Sequence, residues 1–138
     1  MQITRLDHYN ISPRDLEASR RFYTEVIGLN EGWRPPFRAP GAWLYVGERP
    51  VVHLLVKPDR QDGPTGRIDH IAFVATGIAD MIGNLRKHKA KFWLRATPGF
   101  DFQQLFVEDP DGVLIELNYA ATERLPADAG EIPALAPS

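Results

Sequence analysis

Hydrophobic positions along this chain follow two spacings, one typical of strands and one typical of helices, and the same succession occurs twice. In each half, a short apolar segment is followed by a helical pattern and then by three short strand-like segments. The predicted strands are 9–11, 30–34, 42–46 and 51–56 in the first half, and 71–74, 91–96, 102–107 and 113–119 in the second. The pattern therefore predicts two tandem βαβββ units in an α+β protein.

A direct sequence repeat marks the start of each unit. Residues 5–8 (RLDH) recur as residues 67–70 (RIDH), 62 positions later. The segment between the halves is rich in Asp, Gly and Pro, which is typical of a linker. We predict one domain over 1–119, made of units 3–57 and 67–119 with a linker at 58–66, and an Ala/Pro-rich tail at 120–138.

The boundaries of the two helices follow from capping residues and periodicity. For the first helix, Ser12 is the expected N-cap, Pro13 the first helical residue and Asp15 a carboxylate that reaches back to the cap. Gly28 stands where a left-handed C-terminal cap is expected. The second helix is predicted over 78–89.

Composition restricts the chemistry more than it restricts the fold. The 138 residues contain no Cys, which excludes disulfides, cysteine-ligated zinc, iron–sulfur clusters and a thiol nucleophile. A formal charge of −2 provides no global field for nucleic acid, and we expect no nucleic-acid or membrane partner. Since no apolar run approaches about 18 residues and no signal-peptide pattern is present, we expect a cytoplasmic protein.

Four potential metal ligands occupy matching positions of the repeat. His8 and His70 begin the first strand of each unit, and His53 and Glu116 lie in the middle of the last. Taken singly, each histidine fits a hydrogen-bonded core residue, and Glu116 fits an ion pair with an arginine. Taken together, they suit a divalent Fe, Ni, Co, Zn or Mn ion better than Ca²⁺ or Mg²⁺. All four could bind one ion, or His53 could stand back from a two-His, one-carboxylate set.

These residues belong to motifs that resemble the glyoxalase / bleomycin-resistance / extradiol dioxygenase (vicinal oxygen chelate) superfamily. The matching pieces lie in 6–8 (LDH), 15–29, 69–73 (DHIAF) and 107–117, and together they cover residues 3 to about 119. The resemblance implies a cup-shaped, eight-stranded mixed sheet around one metal. It also implies a homodimer, with each site built from one chain or from two.

The same resemblance carries over residue roles. It implies that His8, His70 and Glu116 bind the metal, that His53 is at the fourth ligand position, and that Glu116 is the catalytic base. His53 could instead serve as a catalytic acid or base. Residue type and position, rather than the resemblance, give further candidates for substrate binding, and a core role stays open for the aromatic ones on strands. These candidates are Tyr9, Arg34, Phe37, Trp43, Tyr45 and Arg95.

The predicted function is that of a metal-dependent enzyme acting on a small molecule through adjacent oxygens, with a glyoxalase I-like lyase/isomerase favoured. Bacterial glyoxalase I usually has a second glutamate where this chain has His53, so an extradiol, catechol-cleaving dioxygenase is the main alternative. The family resemblance leaves two further alternatives. One is a thiol transferase of the fosfomycin-resistance type, and the other is a metal-free binding protein that sequesters a small molecule. Because the chain has no Cys, any thiol must arrive as a co-substrate.

Overall fold

The structure, a computed structural model, describes residues 1–2, 4–60, 62–95 and 101–135. The chain divides into two units, Met1–Gly63 and Pro64–Ser138, and the division falls inside the segment predicted as a linker. Each unit has a four-stranded sheet and one α-helix, which confirms the tandem βαβββ prediction. Among the described residues, no helix has the length and apolar character needed to cross a membrane.

The first unit carries a mixed sheet with strand order β1-β4-β3-β2. β1 runs parallel to β4, and the other neighbours are antiparallel. Its elements are β1 (Tyr9–Ile11), α1 (Leu16–Arg21), a π-helical turn (Phe22–Val26), β2 (Asn30–Gly32), β3 (Gly41–Val46) and β4 (Arg49–Leu55). β2 ends two residues earlier than the sequence pattern predicts.

The start of the first helix differs from the prediction. The N-cap is Asp15, whose Oδ1 accepts the backbone N–H of Ala18 at 3.0 Å. Ser12, the predicted cap, instead accepts the backbone N–H of Lys57 at 3.1 Å through its hydroxyl. Ser12 and Asp15 are both residue types that cap helices. Because the Ser12 hydroxyl is engaged by Lys57, Asp15 is the residue that caps the helix. The predicted left-handed cap at the end of the first helical segment is confirmed, since Gly28 has a φ of +90°.

Side chains along β4 point alternately to the two faces of the sheet, and one of these faces belongs to the core of the first unit. Val52 and Leu54 are fully buried, as is Leu44 on β3, and these residues share one face. His53 points to the opposite face and is 8% exposed. The apolar side of α1 and the π-helical turn supplies the remaining core residues, including Phe22, Tyr23 and Val26.

The second unit repeats the arrangement with strand order β5-β8-β7-β6, again with one parallel pair, β5 with β8. Its elements are β5 (Ile71–Val74), α2 (Ile78–Lys87), β6 (Phe92–Arg95), β7 (Phe102–Glu108), β8 (Leu114–Ala120) and a 3-10 turn (Ala129–Glu131). α2 ends before Lys89, which has a left-handed φ of 54. Position 96 of the predicted sixth strand lies outside the described residues.

The tail up to Leu135 is tied to the second unit. Asp128 pairs with Arg86 on α2 at 2.8 Å. Ala134 forms an isolated β-bridge with Leu94. The Leu94 N–H donates to the carbonyl of Pro133, and the Leu94 carbonyl accepts the N–H of Leu135. Glu123 accepts two backbone N–H groups at the start of α2. The tail therefore covers the outer edge of β6.

Candidate functional site

The first pair of candidate ligands, His8 and His53, lies in the first unit. The His8 ring stacks on His53 with centroids 3.8 Å apart. Its Nδ1 lies 2.8 Å from Oδ2 of Asp7. This hydrogen bond, assisted by the charge of Arg5, lowers the pKa of Asp7. A proton on Nδ1 leaves Nε2 of His8 with the lone pair that a metal ion needs.

His53 is held between two rings. Trp43, directly opposite on β3, stacks on it at 4.1 Å with an interplanar angle of 10°. Nε2 of His53 is 3.1 Å from the carbonyl oxygen of Pro50 and donates to it. Burial, with the neighbouring His8 as the next cause, lowers the pKa of His53. Its ring is therefore neutral near neutral pH, and Nδ1 is the nitrogen that remains for a ligand.

Three predicted substrate-binding residues, Arg34, Phe37 and Tyr45, gather beside this stack together with Trp33. Trp33 and Phe37 lie 6.2 and 6.4 Å from the Trp43 ring, and Arg34 sits 5.1 Å above Phe37. The Tyr45 hydroxyl donates to the Trp33 carbonyl at 2.5 Å. Tyr9 is placed differently, because it pairs with Val52 and so faces the side of the sheet opposite to His53.

The second pair, His70 and Glu116, lies in the second unit. Nε2 of His70 is 3.0 Å from Oε2 of Glu116. On the other side of the imidazole, Nδ1 of His70 is 2.7 Å from Oδ2 of Asp69. The His70 ring also meets Phe106 edge-on at 5.9 Å. His70 is therefore oriented by Asp69 and directs Nε2 at the Glu116 carboxylate.

Two amides fix the other carboxylate oxygen of Glu116. Oε1 accepts Nε2–H of Gln104 at 2.8 Å and Nδ2–H of Asn118 at 2.7 Å. Glu116 is only 7% exposed, and these bonds offset the cost of burying its charge. Arg95, the predicted substrate residue of this unit, lies opposite Gln104 on the same sheet face.

The donor set of the second pair fits a divalent transition metal. Ligands at about 2.1 Å from an octahedral ion lie about 3.0 Å apart when adjacent, which equals the His70–Glu116 separation. The structure thus brings His8 to His53 and His70 to Glu116. No group of three or more His, Asp or Glu side chains suited to a metal ion occurs in the described ranges.

Four polar residues with roles at these pairs were not predicted. Asp7 and Asp69 belong to the repeated tetrapeptide, so their equal spacing before each His was visible in the sequence. Asn118 lies two residues after Glu116, on the same strand face. Gln104 reaches Glu116 only through the pairing of β7 with β8, which no local pattern specifies.

Comparisons with known proteins agree with this architecture. The family model of the Glyoxalase/Bleomycin resistance protein/Dioxygenase superfamily matches residues 5–117. Glyoxylase I 4 of Arabidopsis thaliana is 29% identical over 126 residues, covering 85% of this chain and 71% of that protein.

Two solved structures add to this. The first, of a glyoxalase family protein from Bacillus anthracis, has a TM-score of 0.70 at 26% identity and covers 87% of this chain and 98% of that one. The second is the trypanothione-dependent glyoxalase I of Leishmania major, with a TM-score of 0.65 at 27% identity over 85% of this chain and 87% of that one. With two βαβββ units and a family match over most of its length, the chain belongs to the glyoxalase/bleomycin resistance protein/dioxygenase superfamily.

Proposed function

We propose that this chain is a metal-dependent glyoxalase I-like isomerase (lyase). It would convert a small molecule that presents two adjacent oxygens, with a thiol as co-substrate. The observation that carries the proposal is the second pair, in which Nε2 of His70 faces Oε2 of Glu116 at 3.0 Å. A hydrogen bond to Asp69 orients His70, and one from Gln104 orients Glu116. The likeness to glyoxalase I proteins at 27–29% identity supports the same reaction class.

The proposed ligands are His8, His70 and Glu116, with His53 at the fourth position. His8 and His70 make the same kind of hydrogen bond, and it supports this role: each donates Nδ1–H to the aspartate that precedes it. Such a carboxylate fixes the tautomer and raises the basicity of the nitrogen that binds the metal. When bound, a divalent ion polarises the adjacent oxygens of the substrate and stabilises the negative charge that develops on them.

Glu116 supplies the proton chemistry. Glyoxalase-type isomerisation moves one proton between neighbouring carbons, so it needs a base that can accept and return that proton. Oε1 of Glu116 is held by the amides of Gln104 and Asn118, so Oε2, the oxygen that faces His70, is the one that would accept and return the proton. The reaction is balanced without an oxidant or a protein thiol, in agreement with a chain that has no Cys.

The extradiol dioxygenase remains the second candidate. Two histidines and one carboxylate are the ligand set of non-haem Fe²⁺ oxygenases. The observation that favours it is the stack of Trp43 on His53, which places an aromatic surface beside a candidate ligand. His53 would then be a nearby acid or base with its neutral Nδ1 as proton acceptor.

One set of measurements tests both candidates. Protein loaded with Ni²⁺, Mn²⁺ or Fe²⁺ is analysed for bound metal, then assayed with the glutathione hemithioacetal of methylglyoxal and, started from anaerobic Fe²⁺ protein, with catechol. We expect about one ion per site and oxygen-independent isomerisation. Oxygen-dependent ring cleavage would replace the isomerase with the dioxygenase, and the absence of bound metal after loading would refute both.

Variants then test the individual roles. Glu116→Gln should abolish turnover and weaken metal binding less than His8→Ala or His70→Ala. His88→Ala is the matched control, since His88 is the C-cap of α2 and lies outside both pairs. Full activity of Glu116→Gln at saturating metal would contradict the assignment of the base.

A further inference from the structure

Gln104, Asn118 and Glu116 form a closed triangle of hydrogen bonds on one face of the sheet of the second unit. Nε2 of Gln104 donates to Oε1 of Glu116 at 2.8 Å and to Oδ1 of Asn118 at 3.4 Å. Nδ2 of Asn118 donates to the same Oε1 at 2.7 Å. We call these three side chains the amide triangle. Both amides donate to the carboxylate, and they are also joined to each other.

The amide triangle permits one orientation of the Asn118 side chain. With Oδ1 towards Gln104, Nδ2 is directed at the carboxylate, and each contact joins a donor to an acceptor. The reversed amide would set Oδ1 of Asn118 against Oε1 of Glu116, and two acceptors repel each other. Because Gln104 specifies this orientation, it determines the hydrogen bond of Asn118 as well as its own.

Strand pairing requires a long side chain at position 104. Gln104 on β7 is directly opposite Asn118 on β8, so Glu116, two residues along β8, is its diagonal neighbour. Diagonal neighbours on a sheet lie roughly 7–8 Å apart, a distance that only a long side chain spans. Gln104 is 8% exposed and Glu116 is 7% exposed, so water has little access to replace the bond between them.

The amide triangle makes the two oxygens of Glu116 unequal. Hydrogen bonds to a carboxylate are stronger than those between neutral groups, and Oε1 accepts two of them. Oε2 faces Nε2 of His70 at 3.0 Å, where the metal is proposed to bind. For Oε1 to reach the same ion, both amide bonds would have to stretch or break. Glu116 is therefore held as a ligand that offers a single oxygen.

The number of oxygens that Glu116 offers decides how a substrate can bind. An octahedral ion with four single-atom ligands keeps two open positions, which match a substrate that presents two adjacent oxygens. A carboxylate bound through both of its oxygens would occupy one of these positions. The substrate could then bind through one oxygen only, and chelation would be lost.

We propose that Gln104 is a positioning residue that restricts Glu116 to binding the metal through Oε2, so that both open positions stay available to a chelating ligand. The proposal deepens the proposed function and rests on it for the metal and its four ligands. Its test measures the binding of small ligands to metal-loaded protein and needs no turnover, so it is independent of the reaction that follows.

Protein loaded with Co²⁺ provides the test, because the visible spectrum of Co²⁺ reports the binding of ligands to the ion. The probes are acetohydroxamate, which chelates through two adjacent oxygens, and azide, which binds through one atom. Gln104→Met keeps the length of the side chain and removes its N–H groups. We expect acetohydroxamate to bind Gln104→Met about tenfold more weakly than wild type, whereas the affinity for azide stays close to that of wild type.

Gln103→Met is the matched control. Gln103 precedes Gln104 on β7 and faces the other side of the sheet, where its amide donates to the carbonyls of Ala120 and Glu123 at 3.2 and 2.8 Å. The control removes amide hydrogen bonds from the same strand. It should therefore lower the urea midpoint of unfolding, as Gln104→Met does, and leave the affinities for both probes unchanged.

Asn118→Ala tests the connection between the two amides. Asn118 is half-buried, and the variant removes one of the two donors to Oε1, so acetohydroxamate should bind it severalfold more weakly. The double variant should be little weaker than Gln104→Met alone, because Gln104 orients Asn118. If Gln104→Met does not fold, the selective loss of acetohydroxamate binding in Asn118→Ala decides the proposal.

The outcomes separate this proposal from the proposed function. Equal losses for acetohydroxamate and azide, no loss for either, or the same selective loss in Gln103→Met would overturn the role of Gln104 while the metal site stands. Wild-type protein that binds no Co²⁺ would refute the proposed function and the single-oxygen role with it. Wild-type protein that binds Co²⁺ and acetohydroxamate without catalysing isomerisation would refute the isomerase alone, and a selective loss in Gln104→Met would still support the proposal.

Discussion

Glu123 caps a helix that its own sequence leaves uncapped. The N-cap of α2 is Gly77, a left-handed residue with no side chain to accept a backbone N–H. Oε2 of Glu123, 46 residues later, accepts the N–H groups of Gly77 and Ile78, each at 2.8 Å. Glu123→Ala should therefore destabilise the second unit through the first turn of α2.

The expected magnitude follows from the burial of the two donors. Gly77 is exposed, so water can replace the carboxylate at its N–H, but Ile78 is 1% exposed and its N–H is partly shielded. Loss of an N-cap acceptor costs about 1 kcal/mol, and a bond to a charged acceptor costs somewhat more. We expect a loss of about 1–2 kcal/mol for Glu123→Ala. Glu123→Gln, which keeps an acceptor but loses the charge at the helix start, should lose about half as much.

Urea unfolding and amide hydrogen exchange measure the effect. Exchange should accelerate in the first turn of α2 in Glu123→Ala, with β7 changed less. Glu131→Ala, on an exposed part of the same tail, is the charge-matched control. If Glu123→Ala and Glu131→Ala unfold at the same urea concentration and exchange alike, the cap contributes nothing and the reasoning fails.

Three further predictions concern single side chains. Tyr119 has a buried hydroxyl without a hydrogen-bond partner among the described residues, and Tyr119→Phe should raise the free energy of unfolding by about 1 kcal/mol in urea titrations at pH 7. Burial raises the pKa of Tyr119, so the wild type should also lose stability above about pH 10 in the same titrations, and the variant should lose less. Burial lowers the pKa of His53, so the wild type should lose stability as pH falls below about 6.5, and His53→Gln should lose less between pH 7 and 5. Asp69→Asn should weaken metal binding about tenfold in competition with a chromophoric chelator, because Asp69 orients His70; unchanged affinity would argue against that role.

The order of elements could be predicted from local pattern because each element depends on neighbouring residues. Period-two segments became strands, and Gly28 and Gly112 adopt the positive φ that their turns require. The hairpin before β8 also closes as its Asp-Pro-Asp-Gly sequence indicates, with Asp109 accepting the N–H of Val113 at 2.8 Å. Predictions were wrong where a distant partner competed, as at Ser12, which bonds Lys57 and leaves the cap to Asp15.

The candidate site, too, has residues that the local sequence identified and contacts that depended on the tertiary structure. The repeat identified His8 and His70, and the position of a glutamate within an apolar strand identified Glu116 as a carboxylate in need of partners. Asn118 lies two residues away on the same strand, but the second partner depended on strand pairing. Register places Gln104 beside Asn118 against one oxygen of Glu116, and the other oxygen faces His70.

The sequence by itself determined two βαβββ units, their family and a short set of nitrogen and oxygen donors, because periodicity, the repeat and the absence of Cys are properties of the chain. Only the tertiary structure decided how those donors are engaged. Stacking buries His53 between His8 and Trp43, two amides hold Glu116, and the tail covers β6 and caps α2. Apart from the Asn118 amide, these contacts join residues ten or more positions apart. Their geometry is set by sheet register and packing, which local residue preferences do not encode.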